Sequence, residues 1–194
     1  MFMNNSMLKK SLLTTALLIG AHGAMAGQES AVINVSGNIT SETCTVKASD
    51  VNKTVTLPST SNGALEGANS LMPVTFSFGI SGCDSSRTKV TATIGGTTDS
   101  SDVGGYGIDG VIANTGTATN VGIGFLGASS VGSSPAGELR VGTASAVAPL
   151  AGDAAGTTNS GILYLGAQIV PLVKDTLSQP GTVAGAASVT LTYS

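Results

Sequence analysis

The sequence runs to 194 residues, with eight basic and eleven acidic side chains, a formal net charge of −3 and charged residues making up only 10% of the chain. Phosphate-binding surfaces need clustered Lys and Arg, so this balance argues against nucleic acid as a partner. Gly, Ala, Ser, Thr and Val dominate, the palette of short strands and tight turns rather than of helices, and a positive mean hydropathy argues against disorder of the whole chain.

Residues 1–26 read as a secretory signal. Lys9 and Lys10 make a positive leading region, residues 12–19 an apolar stretch, and Ala24-Met25-Ala26 a small-x-small cleavage site. The apolar run is too short to cross a bilayer core of about 30 Å as a helix. Cleavage after Ala26 would leave a mature chain starting at Gly27, long enough for one domain with its own core. Export exposes the two cysteines, Cys44 and Cys83, to an oxidising compartment, where such a pair is expected to close as a disulfide; two buried free thiols are the alternative.

Along the mature chain, apolar residues recur with a period of two. Ile33, Val35 and Gly37 share one face of a first strand, Val55 and Leu57 end a second beside Pro58, and Val74, Phe76, Phe78 and Ile80 form the clearest run before Gly82 and Cys83. A patch at residues 64–71 predicts a short helical turn. Val90, Ala92 and Ile94 follow, then loop at residues 95–110, a strand at Val121, Ile123 and Phe125, and loop at 127–137. A short strand at residues 139–141 precedes a third loop at 144–161, a continuously apolar strand at 162–173, and a last strand carrying Val189, Leu191 and Tyr193. Short strands without long helical patterns between them predict an all-β, antiparallel sandwich of immunoglobulin-like type.

Catalytic motifs fail on context. Gly105-Tyr106-Gly107-Ile108-Asp109-Gly110 spells G-x-G-x-x-G, but a dinucleotide site needs a strand before it and a helix after it, and here a polar turn precedes and no helical pattern follows. Ser86-Arg87-Thr88-Lys89 spells S-x-x-K, yet it leads into a strand rather than opening a helix, with no K-T-G or S-D-N to accompany it. The single histidine, His22, lies in the signal, so the mature chain has no imidazole for a Ser-His-Asp or Cys-His site or a His-containing zinc site. Asp99 and Asp102 form the tightest acidic group in the loops and read as turn chemistry. The sequons at Asn34, Asn38 and Asn52 matter only in a host that glycosylates. The expectation is a non-enzyme without cofactor or metal.

Several runs then combine. Val35-Ser36-Gly37-Asn38-Ile39 leads to Cys44-Thr45-Val46, and Phe76-Ser77-Phe78-Gly79-Ile80-Ser81-Gly82 leads to Cys83. Ala118-Thr119-Asn120-Val121-Gly122-Ile123 has the form A-x-N-V-G-I, and Pro180-Gly181-Thr182-Val183-Ala184-Gly185-Ala186 feeds a strand closing on Leu191-Thr192-Tyr193-Ser194. Over its whole mature length the chain resembles the major and minor pilins of chaperone-usher (type 1-like) fimbriae. That resemblance implies an incomplete immunoglobulin-like antiparallel β-sandwich, completed by a donor strand from a neighbouring subunit.

It also implies a division into signal peptide (residues 1–26), donor-strand extension (27–36) and pilin domain (37–194). The extension, ten residues long, is shorter than in the commoner pilins. Its apolar side carries Ala31, Ile33 and Val35, expected to enter the neighbour's groove, with Val35 at the border of the subunit's own first strand. Val189, Leu191 and Tyr193 are expected to border the groove, and the carboxylate of Ser194 to anchor on basic residues of a periplasmic chaperone. Implied partners are other copies of the chain and other pilins, the chaperone, an outer-membrane usher, and host surface receptors reached through the assembled fibre. The implied destination is a fimbria on the cell surface, and the implied role a structural subunit supporting adhesion. The alternative is a minor or tip subunit acting as a receptor-binding adhesin.

Overall fold

The computed structural model describes residues 31–36, 44–66, 73–152, 154, 156–173 and 176–194. The signal, the rest of the segment before Ala31, and Gly37 and Ile39 lie outside the described residues. In chain order the strands are β1 (Ala31–Ser36), β2 (Thr45–Val46), β3 (Asn52–Leu57), β4 (Val74–Asp84), β5 (Lys89–Gly96), β6 (Ile112–Ala113), β7 (Val121–Gly127), β8 (Ala136–Leu139), β9 (Ala144–Pro149), β10 (Ala151–Gly152), β11 (Thr158–Pro171) and β12 (Ala184–Tyr193). One five-residue helix, α1 (Asn62–Glu66), and two 3-10 turns, at Ala48–Asp50 and Gly104–Tyr106, complete the described elements.

The strands form two sheets. The first runs in the order β3-β1-β12-β5-β9 and the second β2-β4-β11-β7-β6, with β10 on β11 and β8 on β7. Alternation decides which side chains meet between them. Val90, Ala92 and Ile94 of β5 and Val189, Leu191 and Tyr193 of β12 face inward from the first sheet, against Phe76, Phe78 and Ile80 of β4 and Leu163, Leu165 and Ala167 of β11. Phe76 and Phe78 pack edge to face with ring centres 5.9 Å apart. The chain is therefore an all-β sandwich, as its period-two pattern predicts.

β7 is buried on both faces. Val121, Ile123 and Phe125 enter the main core, while the outer face of β7 and β11 lies under Val103, Tyr106 and Val111, which form a second apolar cluster with Val170 of β11 itself. The G-x-G-x-x-G run thus belongs to a structural cover. Gln168 donates a hydrogen bond to the Tyr106 hydroxyl at 3.1 Å, and burial pushes that phenol well above its ordinary pKa. A Cβ on Gly124 would sit 2.5 Å from the tyrosine ring, so this strand position must be glycine for the ring to lie flat on the sheet. The other two weighed motifs resolve equally plainly. The Asp99 carboxylate accepts the Ser101 N–H at 2.9 Å and Asp84 accepts that of Ser86 at 2.8 Å, both ordinary turn geometry.

Three expectations shift. The predicted loop at 144–161 contains strands β9 and β10 and the start of β11, and the strand expected at 139–141 is β8, three residues earlier. In β9 the inward residues are only alanines, Ala146 and Ala148, with Pro149 at its end. Their apolar signal is weak, and proline is tolerated because β9 is the sheet's edge. The helix begins earlier than residues 64–71 suggest, with Asn62–Glu66 described and the Ser61 hydroxyl and carbonyl accepting the Ala64 N–H; residues 67–71 of that patch lie outside the described residues.

Along one open side of the sandwich, the sheets are joined by a small polar clasp. The Asp50 carboxylate accepts the Gly79 N–H of β4 at 2.9 Å and pairs with Lys53 Nζ of β3 at 2.8 Å. Lys53 also donates to the Ser77 carbonyl at 2.5 Å and lies 5.5 Å from the centre of the Phe78 ring. Burial of the Asp50 carboxyl opposes its ionisation, but the Gly79 N–H and the Lys53 ammonium outweigh that and hold its pKa below the ordinary 3.8. A depressed folded-state pKa means the stabilisation is complete above 3.8 and disappears as pH falls through the lowered value. Asp50→Asn should therefore cost about 1–2 kcal/mol at neutral pH and weaken the acid dependence of the denaturation midpoint. Identical midpoint-against-pH curves for variant and parent would remove the clasp from the stability account.

Cys44 and Cys83 are bonded, with Cα atoms 4.1 Å apart and a sequence separation of 39. The bond ties the entry to β2 onto β4, both in the second sheet. Closing a loop of this size restricts the unfolded chain by about 4 kcal/mol in the chain-entropy model. Cys44→Ala with Cys83→Ala should lower unfolding stability by roughly that amount, measured by denaturant titration. Alkylation of the folded, purified protein without reductant should label neither cysteine.

Candidate assembly groove

The slot between β3 and β12 is built by backbone first. β1 fills it, pairing antiparallel with β3 (Ala31 with Leu57, Ile33 with Val55, Val35 with Lys53) and parallel with β12 (Ile33 with Gly185, Val35 with Ala187). Ile33 is 0% exposed and Val35 1% exposed, while Val32, Asn34 and Ser36 point outward. The alternation read from the sequence thus holds residue by residue, and Ala31 takes its place in the register with them.

The floor of the slot explains why it takes large side chains. On the first half of β12 the inward positions beside β1 are Gly185 and Ala187, which leave room that Ile33 and Val35 occupy. Gly185 is required: a Cβ there would meet Ile123 Cδ1 at 2.7 Å and Ile112 Cγ2 at 3.1 Å, side chains reaching across from the second sheet. Val55 and Leu57 of β3 wall the other side. Fully burying Ile33 stabilises by about 1.5–3 kcal/mol, and each ladder hydrogen bond contributes roughly 0.5–1.5 kcal/mol net.

Val189, Leu191 and Tyr193 lie on the second half of β12, inward-facing and buried, in register with Ile94, Ala92 and Val90 of β5. Burial pushes the Tyr193 phenol above its ordinary pKa. At the terminus, the Ser194 carboxyl oxygen accepts the N–H groups of Thr88 and Lys89 at 2.8 and 2.9 Å, and the Ser194 N–H donates to the Lys89 carbonyl at 3.0 Å. Arg87 donates to the Tyr193 carbonyl at 3.4 Å. In the isolated chain, then, the terminus is held by the start of β5.

Two asparagines that the sequence reading did not single out as site residues fix the chain, one at the entry to β12 and the other at the entry to β7. Asn114 Oδ1 accepts the N–H groups of Gly116 and Ala184, both at 2.9 Å, and its Nδ2 donates to the Ala118 carbonyl at 2.8 Å, fixing the first residue of β12. Thr117 and Thr182 reinforce the same junction, with Thr182 N–H donating to Thr117 Oγ1 at 2.9 Å. Asn120, with φ of 58°, donates to the carbonyls of Val173 and Thr176 and accepts the Val173 N–H at 2.8 Å. That accounts for the asparagine of the A-x-N-V-G-I run: it turns the chain into β7 while binding the segment after β11. The available signal was positional, an Asn just ahead of an apolar alternation.

Among the described residues no group of three His, Cys, Asp or Glu side chains is placed to hold a metal ion, and no helix is long and apolar enough to cross a membrane. No protein-family model and no curated protein matches the chain. Among solved structures it is similar to the P pilus rod subunit PapA, with a TM-score of 0.50 at 16% identity over 81% of this chain and 97% of that one. The fold is thus a pilin-like β-sandwich.

Asn114→Ala removes four side-chain hydrogen bonds around the entry to β12, to Gly116, Ala118, Thr182 and Ala184, and should cost about 1–3 kcal/mol. Hydrogen exchange should quicken at Ala184 and at the neighbouring amides of β12 that line the groove. Unchanged exchange across 184–188 would show that β12 is held without it.

Proposed function

We propose that the chain is a structural subunit of a surface fibre, polymerising when the segment that carries Ala31, Ile33 and Val35 is lent to the groove of the next copy. The observation that carries this reading is the slot itself. One short N-terminal strand, the first described element, supplies both the ladder and the apolar filling between β3 and β12. Strand addition uses those same terms between chains, with main-chain hydrogen bonds for affinity and alternate side chains in pockets for specificity.

The pilin-like fold, similar to that of the P pilus rod subunit PapA, supports the reading. So do the paired cysteines, which suit an oxidising compartment. On this reading the protein is not an enzyme; it is exported through the periplasm to a fimbria, and a chaperone and an outer-membrane usher handle the groove on the way. The chaperone meets the β12 end of the chain, where Ser194 exchanges its backbone contacts for basic side chains of the partner. Other copies and other pilins are its fibre neighbours, and contact with host receptors comes through the assembled fibre.

Ile33→Asp places a carboxylate in an apolar slot at a cost of several kcal/mol. Expressed alone, this variant should give no surface fibres by electron microscopy. Expressed beside the parent chain it should enter fibres as an acceptor that cannot donate, shortening them. Fibres of normal length and number from the variant alone would refute the assignment of Ile33 as a donor residue.

A further inference from the structure

Asn62 and Gly63 open α1, and both are exposed. The Gly63 N–H donates to the Asn62 side-chain oxygen Oδ1 at 3.0 Å, which sets that backbone nitrogen beside Cγ, the carbon to which Oδ1 is bonded. We infer that this pair is a site of spontaneous covalent modification: in the folded chain the Gly63 nitrogen attacks the Asn62 side-chain amide, and the asparagine ages to aspartate and isoaspartate. The inference is independent of strand lending and goes beyond it.

The local structure leaves the attacking nitrogen free to react. N–H groups in the first turn of a helix have no acceptor within it. The bonds that start α1 come one residue later, with Ala64 and Leu65 both donating to the Ser61 carbonyl. Glycine has no side chain to shield its nitrogen, and the space around this one is open: a Cβ built on Gly63 would meet nothing within 4 Å. α1 is five residues long, a length at which a helix is marginal on its own, so the rotation that closes the ring meets little resistance. Reaction between adjacent residues also avoids the entropy cost of bringing two molecules together.

The chemistry balances with water as the co-reactant. The Gly63 nitrogen gives its proton to solvent base and bonds to Cγ, closing a five-membered succinimide. The Cγ–Nδ2 bond breaks, and Nδ2 takes up a proton and leaves as ammonia. Water then opens the ring at either carbonyl, giving aspartate or isoaspartate, the latter with its main chain running through Cβ and Cγ. Both products add a negative charge to a chain in which charged residues make up only 10%. An aspartate in the first turn suits the positive end of the helix. Isoaspartate lengthens the main chain by one carbon and so displaces Leu65, which is buried in the main core.

Asn114, Asn120 and Asn159 serve as internal controls. Each donates through its side-chain nitrogen to backbone carbonyls, which holds the leaving group in place, and each is followed by a residue that bears a side chain. Folded, purified mature chain should be held in mildly alkaline and in mildly acidic buffer and then peptide-mapped by mass spectrometry, with isoaspartate scored by its specific methyltransferase. Asn62 should convert, faster in the alkaline buffer because the nitrogen attacks after losing its proton, while the three controls stay intact. Gly63→Ala fits the open space and should slow conversion on the order of tenfold to a hundredfold by shielding the nitrogen. Asn62→Asp should keep the parent's denaturation midpoint, whereas the isoaspartate-bearing fraction of aged parent should unfold earlier. Chain held unfolded in denaturant gives the rate without the fold. Folded chain that keeps Asn62 intact while the unfolded chain converts would overturn the inference, and so would Gly63→Ala converting as fast as the parent.

Discussion

Everything in this sandwich depends on pairing along the free edge of β12. A strand that packs its inward face into a core must also satisfy the N–H and C=O groups along both edges, because an unpaired, flat edge beside apolar side chains is a template for association. On one side β12 has β5; on the other, along Ala184–Ser188, it has only β1. Removing β1 opens a backbone edge on β12 and another on β3 at once, and uncovers the cavity that Ile33 and Val35 fill. The fold is an all-β, pilin-like sandwich with β1 in that position, and the strand-lending proposal turns on β1 being replaceable there.

The surrounding architecture keeps that position open to one strand and no other filling. Gly185 lets Ile112 and Ile123 of the second sheet approach β12 closely, Asn114 fixes where β12 starts, and the Asp50–Lys53 clasp holds β3 to β4. These three contacts come from different parts of the chain and define the depth, the end and the far wall of the same slot. Tyr106 plays no part in it. Its loop covers the outer face of the second sheet, the use to which the glycine-rich run is put.

Much of this was legible in the sequence because a half-buried strand writes its face directly into alternate residues. Ile33 and Val35, Phe76 and Phe78, and Val189, Leu191 and Tyr193 all point where the alternation places them. β9 was illegible because its inward residues are alanines, whose small apolar surface does not stand out from a Gly- and Ser-rich surrounding. β4 runs on through Gly82, whose φ of +66° the strand absorbs where a stop signal was read. The groove was legible as a resemblance and its inward residues as a pattern. Alternation says which side chains enter a slot, however, and carries no information about whose slot it is. That is why the position of β1 in its own sheet emerges only from the three-dimensional register.

The disulfide has a consequence for mechanics. If β1 is held by another molecule and pulled along its axis, its two ladders are loaded in shear, so their hydrogen bonds resist together rather than opening one after another. Tension then passes down the chain through residues 37–43 to Cys44, where the bond carries it straight into β4, the strand most extensively matched to β11. The residues between the cysteines are bypassed. Extended, they would reach about 130 Å, a length of slack that a subunit under load never pays out while the bond is intact. Between Cys44 and Cys83 the chain is thus inextensible, and any give must come from the far side of β4, through β5 to β12.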